Sequence, residues 1–476
     1  MTTLYTNAII ITVDEERRVI RHGFILVEGT RIAAIDTTSN LQALSLPSDI
    51  RTVDVNRSII IPGLINGHVH LIQSIMRGLC EDLKLHDWAS CAIWPMEVNL
   101  QGSDGYIAAK LAMAEMMKTG TTCFLEPMLP SSAGFDDVCR AVEETGIRAC
   151  LGKLTKGPRS DTSAGIADAR DTQASMMTID SVLTAHKAHH GSCDDRLHVW
   201  FATETPRGAD EAGFAAIGQA SKEHNIRLTM HLAEAAKDFE MIQEAYNSTP
   251  GEFTRKVNSA GPHVVLGHMV HLDPAIDFEI LSTDGTHICH NSTSNAKLAD
   301  GFAPIPELLE HGVNVCLGTD GGPCNNLHDL FRDMHLAGIL HKGRLRDASV
   351  LPSEQVIEMA TINRAKALGL EKDIGSLETG KKADFVVLNP SGLNTAPFNE
   401  ATIGEGGIHP ATVVVHSCTG GDVEMVVLDG REVVKDGVLQ TLDEDQLKSD
   451  ARATIASLQR RSGIKAQPAK RNWKYV

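Results

Sequence analysis

The strongest constraint on the fold of this chain is a repeated pattern of short apolar runs that end at a histidine or an acidic residue. Short apolar runs bounded by glycine and polar residues are typical of buried β-strands. Residues able to bind a metal follow these runs: His68 and His70 after 59–65, His231 after 226–230, His268 after 263–267, and Asp320 after 313–319. The pattern predicts buried strands whose carboxyl ends carry polar side chains.

A shared metal site is the interpretation that this pattern favours. Side chains alternate along a strand, so His68 and His70 should point to the same side. Neutral imidazoles together with a carboxylate suit a borderline divalent ion such as zinc or ferrous iron. Any one of these residues could instead be a core polar group that its neighbours satisfy by hydrogen bonding. Five of them at strand ends make the metal site the stronger hypothesis.

Composition limits the class of protein. The 476 residues, 42% of them hydrophobic, can bury one large core and a smaller module. The sequence contains no apolar stretch long enough for a membrane span and no basic-then-apolar leader at its start. A net charge of −17 and an aromatic content of 4% argue against nucleic-acid binding. Ten cysteines without a CxxC pair favour reduced thiols, so we expect a cytoplasmic protein that binds neither nucleic acid nor membranes.

The order of the predicted elements indicates an α/β barrel. Residues 59–370 alternate short apolar strands with helical patterns, which implies parallel βα units. A stretch of about 300 residues fits a (β/α)8 TIM barrel with insertions, in which the chemistry lies at the carboxyl ends of the strands. Residues 1–58 and 371–476 are rich in short alternating runs typical of β-structure.

Five motifs carry a resemblance to a known family: PGLINGHVH at 62–70, HLAE at 231–234, HNSTSNAKL at 290–298, LGTDGG at 317–322 and GSLETGKKAD at 375–384. The chain resembles the metal-dependent amidohydrolase superfamily, in the branch of S-adenosylhomocysteine/methylthioadenosine deaminases and triazine hydrolases (ATZ/TRZ-like). The resemblance implies a barrel over 59–370 and a small β-sandwich. Residues 1–58 would form one part of that sandwich, and 371–476 the other part with a C-terminal helix and tail.

The resemblance also implies the metal ligands and the catalytic groups. His68, His70, His231 and Asp320 would hold one divalent ion, with zinc favoured and iron as the alternative. Two-metal relatives need a bridging lysine on the fourth barrel strand, and the matching run 197–203 has none. Glu234 would shuttle protons, His268 would orient the attacking water, and Asp320 would also accept a proton from it.

Six further residues are candidates for substrate binding. Trp94 and Glu97 match the segment with which nucleoside-type deaminases grip the ribose hydroxyls, and a carboxylate can accept two hydrogen bonds from a diol. Glu204 stands where those deaminases have a histidine, so it would suit a base edge that offers N–H donors. Lys153 could meet an anionic tail or face solvent. His290 and Asn291 are expected near the same face of the barrel.

The leading hypothesis is a hydrolytic deaminase of a small N-heterocyclic substrate, a purine nucleoside or thio-nucleoside. A triazine-type hydrolase and a deaminase of a free guanine- or pterin-like base are the alternatives. A non-catalytic binding scaffold is disfavoured, because it would need no acid–base group beside the ligands. We also expect a homo-oligomer, either a dimer or a tetramer.

Overall fold

Both ends of the chain contribute to a separate mixed β-sheet. The computed structural model describes residues 2–44, 46, 48–157, 166–204 and 208–466. The N-terminal strands of this sheet are β1 (Thr2–Ile11), β2 (Val19–Glu28), β3 (Arg31–Thr37), β4 (Arg51–Asp54) and β5 (Ile59–Pro62). Alternating apolar side chains of these strands, including Ile10 and Ile25, are buried in a core of their own.

The second sheet is parallel, and its strands lie beside one another in sequence order. They are β6 (Leu64–Asn66), β7 (Thr121–Leu129), β8 (Arg148–Leu154), β9 (Leu197–Glu204), β10 (Leu228–Leu232), β11 (Val264–His268), β12 (His287–His290) and β13 (Val315–Leu317). The first and last strands meet where Gly67 donates its N–H to the carbonyl of Leu317 at 2.8 Å. The predicted eight-stranded βα barrel is therefore confirmed.

The C-terminal strands complete the mixed sheet. They are β14 (Phe385–Leu388), β15 (Val423–Leu428), β16 (Arg431–Lys435) and β17 (Val438–Leu439). β14 pairs antiparallel with β5, which joins the two ends of the chain in one sheet and confirms the expected β-module. Residues 59–62, which the sequence grouped with the barrel, pair in this sheet. The apolar run continues through Gly63 into β6, so the sequence shows no break between the two sheets.

Helices cover the outside of the barrel, and a long helix follows the last strand of the mixed sheet. The α-helices of the described residues are Leu85–Trp88, Trp94–Glu97, Asp104–Lys118, Phe135–Thr145, Ile179–His189, Ser192–Asp195, Glu211–Glu223, Ala236–Tyr246, Pro250–Lys256, Asp277–Asp284, Ser292–Lys297, Ile305–Glu310, Gly322–Asn325, Leu330–Leu345, Ser353–Ala360, Ile362–Leu368, Pro410–His416 and Glu444–Ser462. Two 3₁₀ helices, Leu71–Met76 and Ala169–Met176, carry Gln73 and Arg170, respectively. Within the described ranges, every helix is too short or too polar to cross a membrane.

A buried ion cluster joins the barrel to the mixed sheet. The guanidinium of Arg148, at the start of β8, lies 3.1 Å from both Asp384 and Asp429 of the mixed-sheet module. All three side chains are buried. Because an uncompensated charge in such a position is costly, this cluster fixes the module against the base of the barrel.

Candidate active site

The four predicted metal ligands converge at the carboxyl end of the barrel. His68 and His70 follow β6, His231 lies on β10, and Asp320 follows β13. The Nε2 atom of His70 lies 3.2 Å from Nε2 of His231 and 3.2 Å from Oδ1 of Asp320. The Nε2 atom of His68 lies 3.6 Å from the same carboxylate oxygen. The alternation of side chains and the closure of the barrel therefore bring these groups to one point.

This cluster has the donor set and the burial of a metal site. Three overlapping groups of residues place their ligand atoms within 4.8 Å of one another. They are His68, His231 and His268; His68, His70 and Asp320; and Glu234, His268 and Asp320. The Nε2 atom of His68 is buried and makes no hydrogen bond with any described residue. A buried polar atom without a partner costs about 1–3 kcal/mol. A bound cation would satisfy it, so the residues present fit a divalent metal ion.

The pKa shifts of the cluster residues also favour a bound cation. Burial lowers the pKa of His68 well below its usual value. Burial also lowers the pKa of His70, but hydrogen bonds to Asp320 and Glu126 outweigh it and raise that pKa to about 10. Burial raises the pKa of Asp320, but the hydrogen bond from His70 and the nearby imidazoles hold it well below its usual range. The site thus attracts positive charge, which a proton on His70 or a metal ion can supply.

Glu126 is a site residue that sequence reasoning missed. It lies on β7, where it accepts N–H hydrogen bonds from Leu71 at 2.7 Å and Met128 at 2.9 Å. Its Oε1 atom lies 3.6 Å from Nδ1 of His70. A carboxylate in this position fixes the orientation of a metal-binding histidine. It is the only charged residue in the otherwise uncharged strand 121–129, a signal that could have found it.

His268 lies beside the cluster, close to the carboxylates of Glu234 and Asp320. Its Nδ1 atom donates to Oδ1 of Asn295 at 2.8 Å and lies 3.5 Å from Oε1 of Glu234. Its Nε2 atom lies 3.9 Å from Oδ2 of Asp320. With Nδ1 carrying the proton, Nε2 presents a lone pair on the side of Asp320. The amide of Asn291 is 3.4 Å from the same ring, so Asn291 also reaches this part of the site.

The backbone around these residues is strained. Ala233, His268 and Asp320 have positive φ angles of 51°, 73° and 64°. Such conformations cost on the order of 1–3 kcal/mol each in residues other than glycine and are typical of functional sites. A side chain at Gly267 would place its Cβ 2.8 Å from the His68 ring, so a larger residue there would displace this imidazole. The fold therefore keeps these site residues in backbone conformations that lower the stability of the protein locally.

Glu97 and Glu204 are brought together by a residue that the sequence did not single out. Arg170, on the helix Ala169–Met176, is fully buried. Its guanidinium donates to Glu204 and lies 3.5 Å from Glu97. It also donates to Asp168 at 2.8 Å and lies 4.6 Å from the centre of the Trp94 ring. These contacts place Trp94, Glu97 and Glu204 in one buried group.

The pocket beside the metal cluster is narrow. Glu204, Glu234 and Trp94 line it, together with the apolar side chains of Leu85 and Trp88. Its volume is about 30 Å³, enough for about one water molecule. Gln73, which also lines the pocket, donates to Glu97 at 2.9 Å. Burial raises the pKa of Glu97, although the charge of Arg170 opposes that effect.

Two predicted substrate residues lie elsewhere. Lys153 is on β8 but lies over the ring of Phe135 at 5.0 Å, on the helix-covered side of the barrel wall. It lines a surface groove with Asp136 rather than the metal pocket. His290 pairs with His341, the two Nε2 atoms being 3.2 Å apart. The structure thus brings neither Lys153 nor His290 to the pocket lining, because strand alternation turns Lys153 outward and His341 holds His290.

The sequence places this fold and site in a known family. The chain belongs to the amidohydrolase family, whose model matches residues 59–433. It is 34% identical to a 5'-deoxyadenosine deaminase of Methanothermobacter thermautotrophicus over 92% of this chain and 95% of that protein. It is 33% identical to a 5-methylthioadenosine/S-adenosylhomocysteine deaminase of Acetivibrio thermocellus over 94% of this chain and 97% of that protein.

Solved structures share the fold. An adenosine deaminase from Xanthomonas campestris with bound zinc has a TM-score of 0.83 and 26% identity, covering 96% of this chain and 98% of that one. A triazine hydrolase from Arthobacter aurescens has a TM-score of 0.84 at 24% identity, covering 95% of this chain and 99% of that one. The resemblance to the amidohydrolase superfamily and to this branch is therefore confirmed.

Proposed function

We propose that this chain is a metal-dependent hydrolase that removes the exocyclic amine of an adenosine-type nucleoside. The observation that carries the proposal is the buried His/Asp cluster with Glu234 beside it, in a chain similar over its length to 5'-deoxyadenosine and 5-methylthioadenosine/S-adenosylhomocysteine deaminases. The cofactor we propose is one zinc ion per chain, and ferrous iron is the alternative. The absence of lysine from β9 supports a single ion.

We assign His68, His70, His231 and Asp320 to hold the ion. A divalent ion in this cluster would acidify a water molecule and so supply a nucleophile at neutral pH. Asp320 and His268 orient that water, because the Nε2 atom of His268 and the Oδ2 atom of Asp320 lie 3.9 Å apart on one side of the pocket. Asn295 holds the His268 ring, and the N–H of Gly321 donates to Oδ1 of Asp320 at 2.8 Å.

Glu234 serves as the general acid and base. Hydrolytic deamination requires one proton to reach a ring nitrogen and another to reach the departing amine. The carboxylate of Glu234 is buried, lines the pocket and lies 3.5 Å from His268. It can therefore take a proton from the attacking water and deliver it to the substrate without exchange with bulk solvent.

Glu204 lines the pocket, and Glu97 lies behind it against the same arginine. We propose that Glu97 accepts hydrogen bonds from a ribose-type diol and that Glu204 faces the heterocycle, with Arg170 holding both carboxylates. A cavity of about 30 Å³ cannot admit a nucleoside. Substrate entry therefore requires some of the lining side chains, which include Leu85, Trp88 and Trp94, to move.

The second candidate is deamination of a free base. Glu204 replaces the histidine of nucleoside-type deaminases, and a carboxylate suits the N–H donors of a guanine- or pterin-like edge. A triazine hydrolase is less well supported, because the likeness to such a protein at 24% identity shows the fold alone. A non-catalytic scaffold would not need the strained ligands and the acid–base group together.

We also propose a cytoplasmic homo-oligomer, a dimer or a tetramer. All ten cysteines are free thiols in the structure, which suits a reducing compartment. Sedimentation of the purified protein would measure the oligomeric state directly.

Ammonia release across a panel of substrates tests the proposed activity. The panel contains 5'-deoxyadenosine, methylthioadenosine, adenosine, free adenine and guanine, a pterin and an aminotriazine. We expect the highest kcat/KM with one of the three nucleosides. A higher kcat/KM with a free base would favour the second candidate, and turnover of the triazine alone would reject both.

A further inference from the structure

A second cavity lies at the opposite end of the barrel from the metal cluster. It is about 520 Å³ in volume and opens at the amino-terminal ends of β9, β10 and β11. The end of the helix Ile362–Leu368, with Gly369, forms its rim. No residue that lines it also lines the metal pocket. Its volume is in the range of about 300–1,000 Å³ that is usual for small-molecule sites.

Every ionisable side chain that lines this cavity is basic. These residues are His190, His198, Lys222, Arg227 and His263. The chain as a whole carries a net charge of −17, yet no carboxylate is among the residues that line this cavity. No carboxylate of the described residues lies within ion-pairing distance of Lys222 or Arg227. Burial lowers the pKa of Arg227, although the charge of Glu371 opposes this effect.

The guanidinium of Arg227 is held in a fixed position. Its Nη1 atom donates to the carbonyls of Pro262 at 2.9 Å and Ala367 at 3.0 Å. A Cβ at Gly369 would lie 2.1 Å from its Nη2 atom, so the group lies directly against this glycine. The guanidinium is 5.6 Å from the centre of the Trp200 ring. A guanidinium held in this way is prepared to bind an oxyanion with its remaining N–H donors.

The imidazoles supply further donors. Nδ1 of His190 accepts the N–H of Val199 at 3.2 Å, so the neutral ring carries its proton on Nε2. The Nε2 atoms of His198 and His263 are buried and make no hydrogen bond within the described part of the chain. Imidazoles also bind metals, but the positive charges of Arg227 and Lys222 beside them would repel a cation.

We propose that this basic cavity binds a small phosphate-bearing anion, with Arg227 and Lys222 as the charged contacts and His190 as an additional donor. The anion would offset the desolvation of Arg227 and accept the Nε2–H of His190. The indole of Trp200 and the side chain of Ile226 provide an apolar wall for the remainder of the ligand. The inference does not depend on the proposed deaminase activity.

Calorimetric titration of the metal-loaded full-length protein with inorganic phosphate, and separately with uridine monophosphate, tests this site. Uridine monophosphate carries a phosphate without an adenine ring, which avoids competition for the proposed active site. We expect saturable binding that weakens as salt rises. Charge-assisted hydrogen bonds are worth about 1.5–3 kcal/mol, so Arg227→Gln should weaken binding by roughly 10- to 100-fold.

Lys222→Gln tests the second charged contact of the proposed site. It carries little risk to the fold, because Lys222 is exposed. It should weaken binding several-fold. The matched control is Arg452→Gln, an exposed basic residue on the C-terminal helix, which should leave the affinity unchanged. Absence of saturable binding with both probes would overturn the proposal. Binding that Lys222→Gln leaves unchanged, as expected for an anion at the metal cluster, would overturn it as well.

Discussion

Arg170 donates a hydrogen bond to Glu204, which lines the pocket that adjoins the metal cluster. Glu204 ends the fourth strand of the barrel, and Arg170 comes from a separate 3₁₀ helix. The same guanidinium reaches Glu97 at 3.5 Å. Glu204, which the sequence led us to expect against a base edge, is therefore held by a cation of the protein itself.

Replacing Arg170 with methionine should destabilise the protein. The change leaves the carboxylates of Glu97, Glu204 and Asp168 without their common cation, and breaking a buried ion cluster in this way costs about 3–5 kcal/mol. Chemical denaturation of the metal-loaded protein measures the free energy of unfolding. Arg140→Met, which removes an exposed arginine that pairs with Asp137, is the control and should change it by less than about 1 kcal/mol. An Arg170→Met variant as stable as the parent would show that the cluster contributes nothing.

Replacing Glu97 with alanine should harm nucleosides more than free bases. A site built around a polar partner rejects a ligand that lacks it, because its own buried groups are left unpaired. The measurement is the ratio of kcat/KM for 5'-deoxyadenosine and adenine, with the exposed Glu143→Ala as control. If this ratio stays the same in Glu97→Ala, Glu97 does not bind the sugar and the free-base candidate gains support.

The Glu234→Gln variant should keep the metal and lose most of its turnover. Glutamine has nearly the same shape but cannot carry a proton, and general acid–base groups contribute about 10²–10⁴-fold. Metal content and kcat are measured on the same preparation. Glu240→Gln, on the exposed face of the next helix, should behave like the parent. Turnover above about half of the parent value in Glu234→Gln would exclude the proton-transfer role.

Metal binding should release at least one proton at neutral pH, the one carried by His70. In the ion-free protein His70 has a pKa of about 10 and is protonated, whereas His68 is neutral and Asp320 is ionised. A metal-bound imidazole must be neutral, so the proton on His70 has to leave. The raised pKa means that metal affinity should increase with pH up to about 10 and be lost as the pH falls.

Calorimetry in two buffers with different ionisation enthalpies counts these protons. Glu126→Gln provides the matched variant, because it removes one of the two carboxylates that raise the pKa of His70. It should reduce the number of protons released near neutral pH. No release of protons by the parent protein at pH 7 would contradict the assignment of His70.

The sequence was sufficient for the parts of the site that rest on local periodicity. A strand places His68 and His70 on one side, and the carboxyl ends of barrel strands meet, so the convergence of the ligands could be predicted. Periodicity could not find Glu126 or Arg170. Glu126 stands out only as the single charged residue of strand 121–129, and Arg170 lies on a short 3₁₀ helix that has no periodic apolar pattern. Lys153 shows the opposite limit. The sequence correctly placed it in the barrel region, and it lies on β8. The sequence did not show which side of the barrel wall Lys153 faces, because that depends on the register of the strand.

The central claim is that catalysis depends on one metal ion in the His/Asp cluster. The most direct test removes the metal with a chelator, measures ammonia release from 5'-deoxyadenosine, and then adds zinc back in known amounts. We predict that activity is lost with the metal and returns in proportion to zinc until one ion is bound per chain. Full activity in the metal-free protein, or activity that returns only with two ions per chain, would contradict the account.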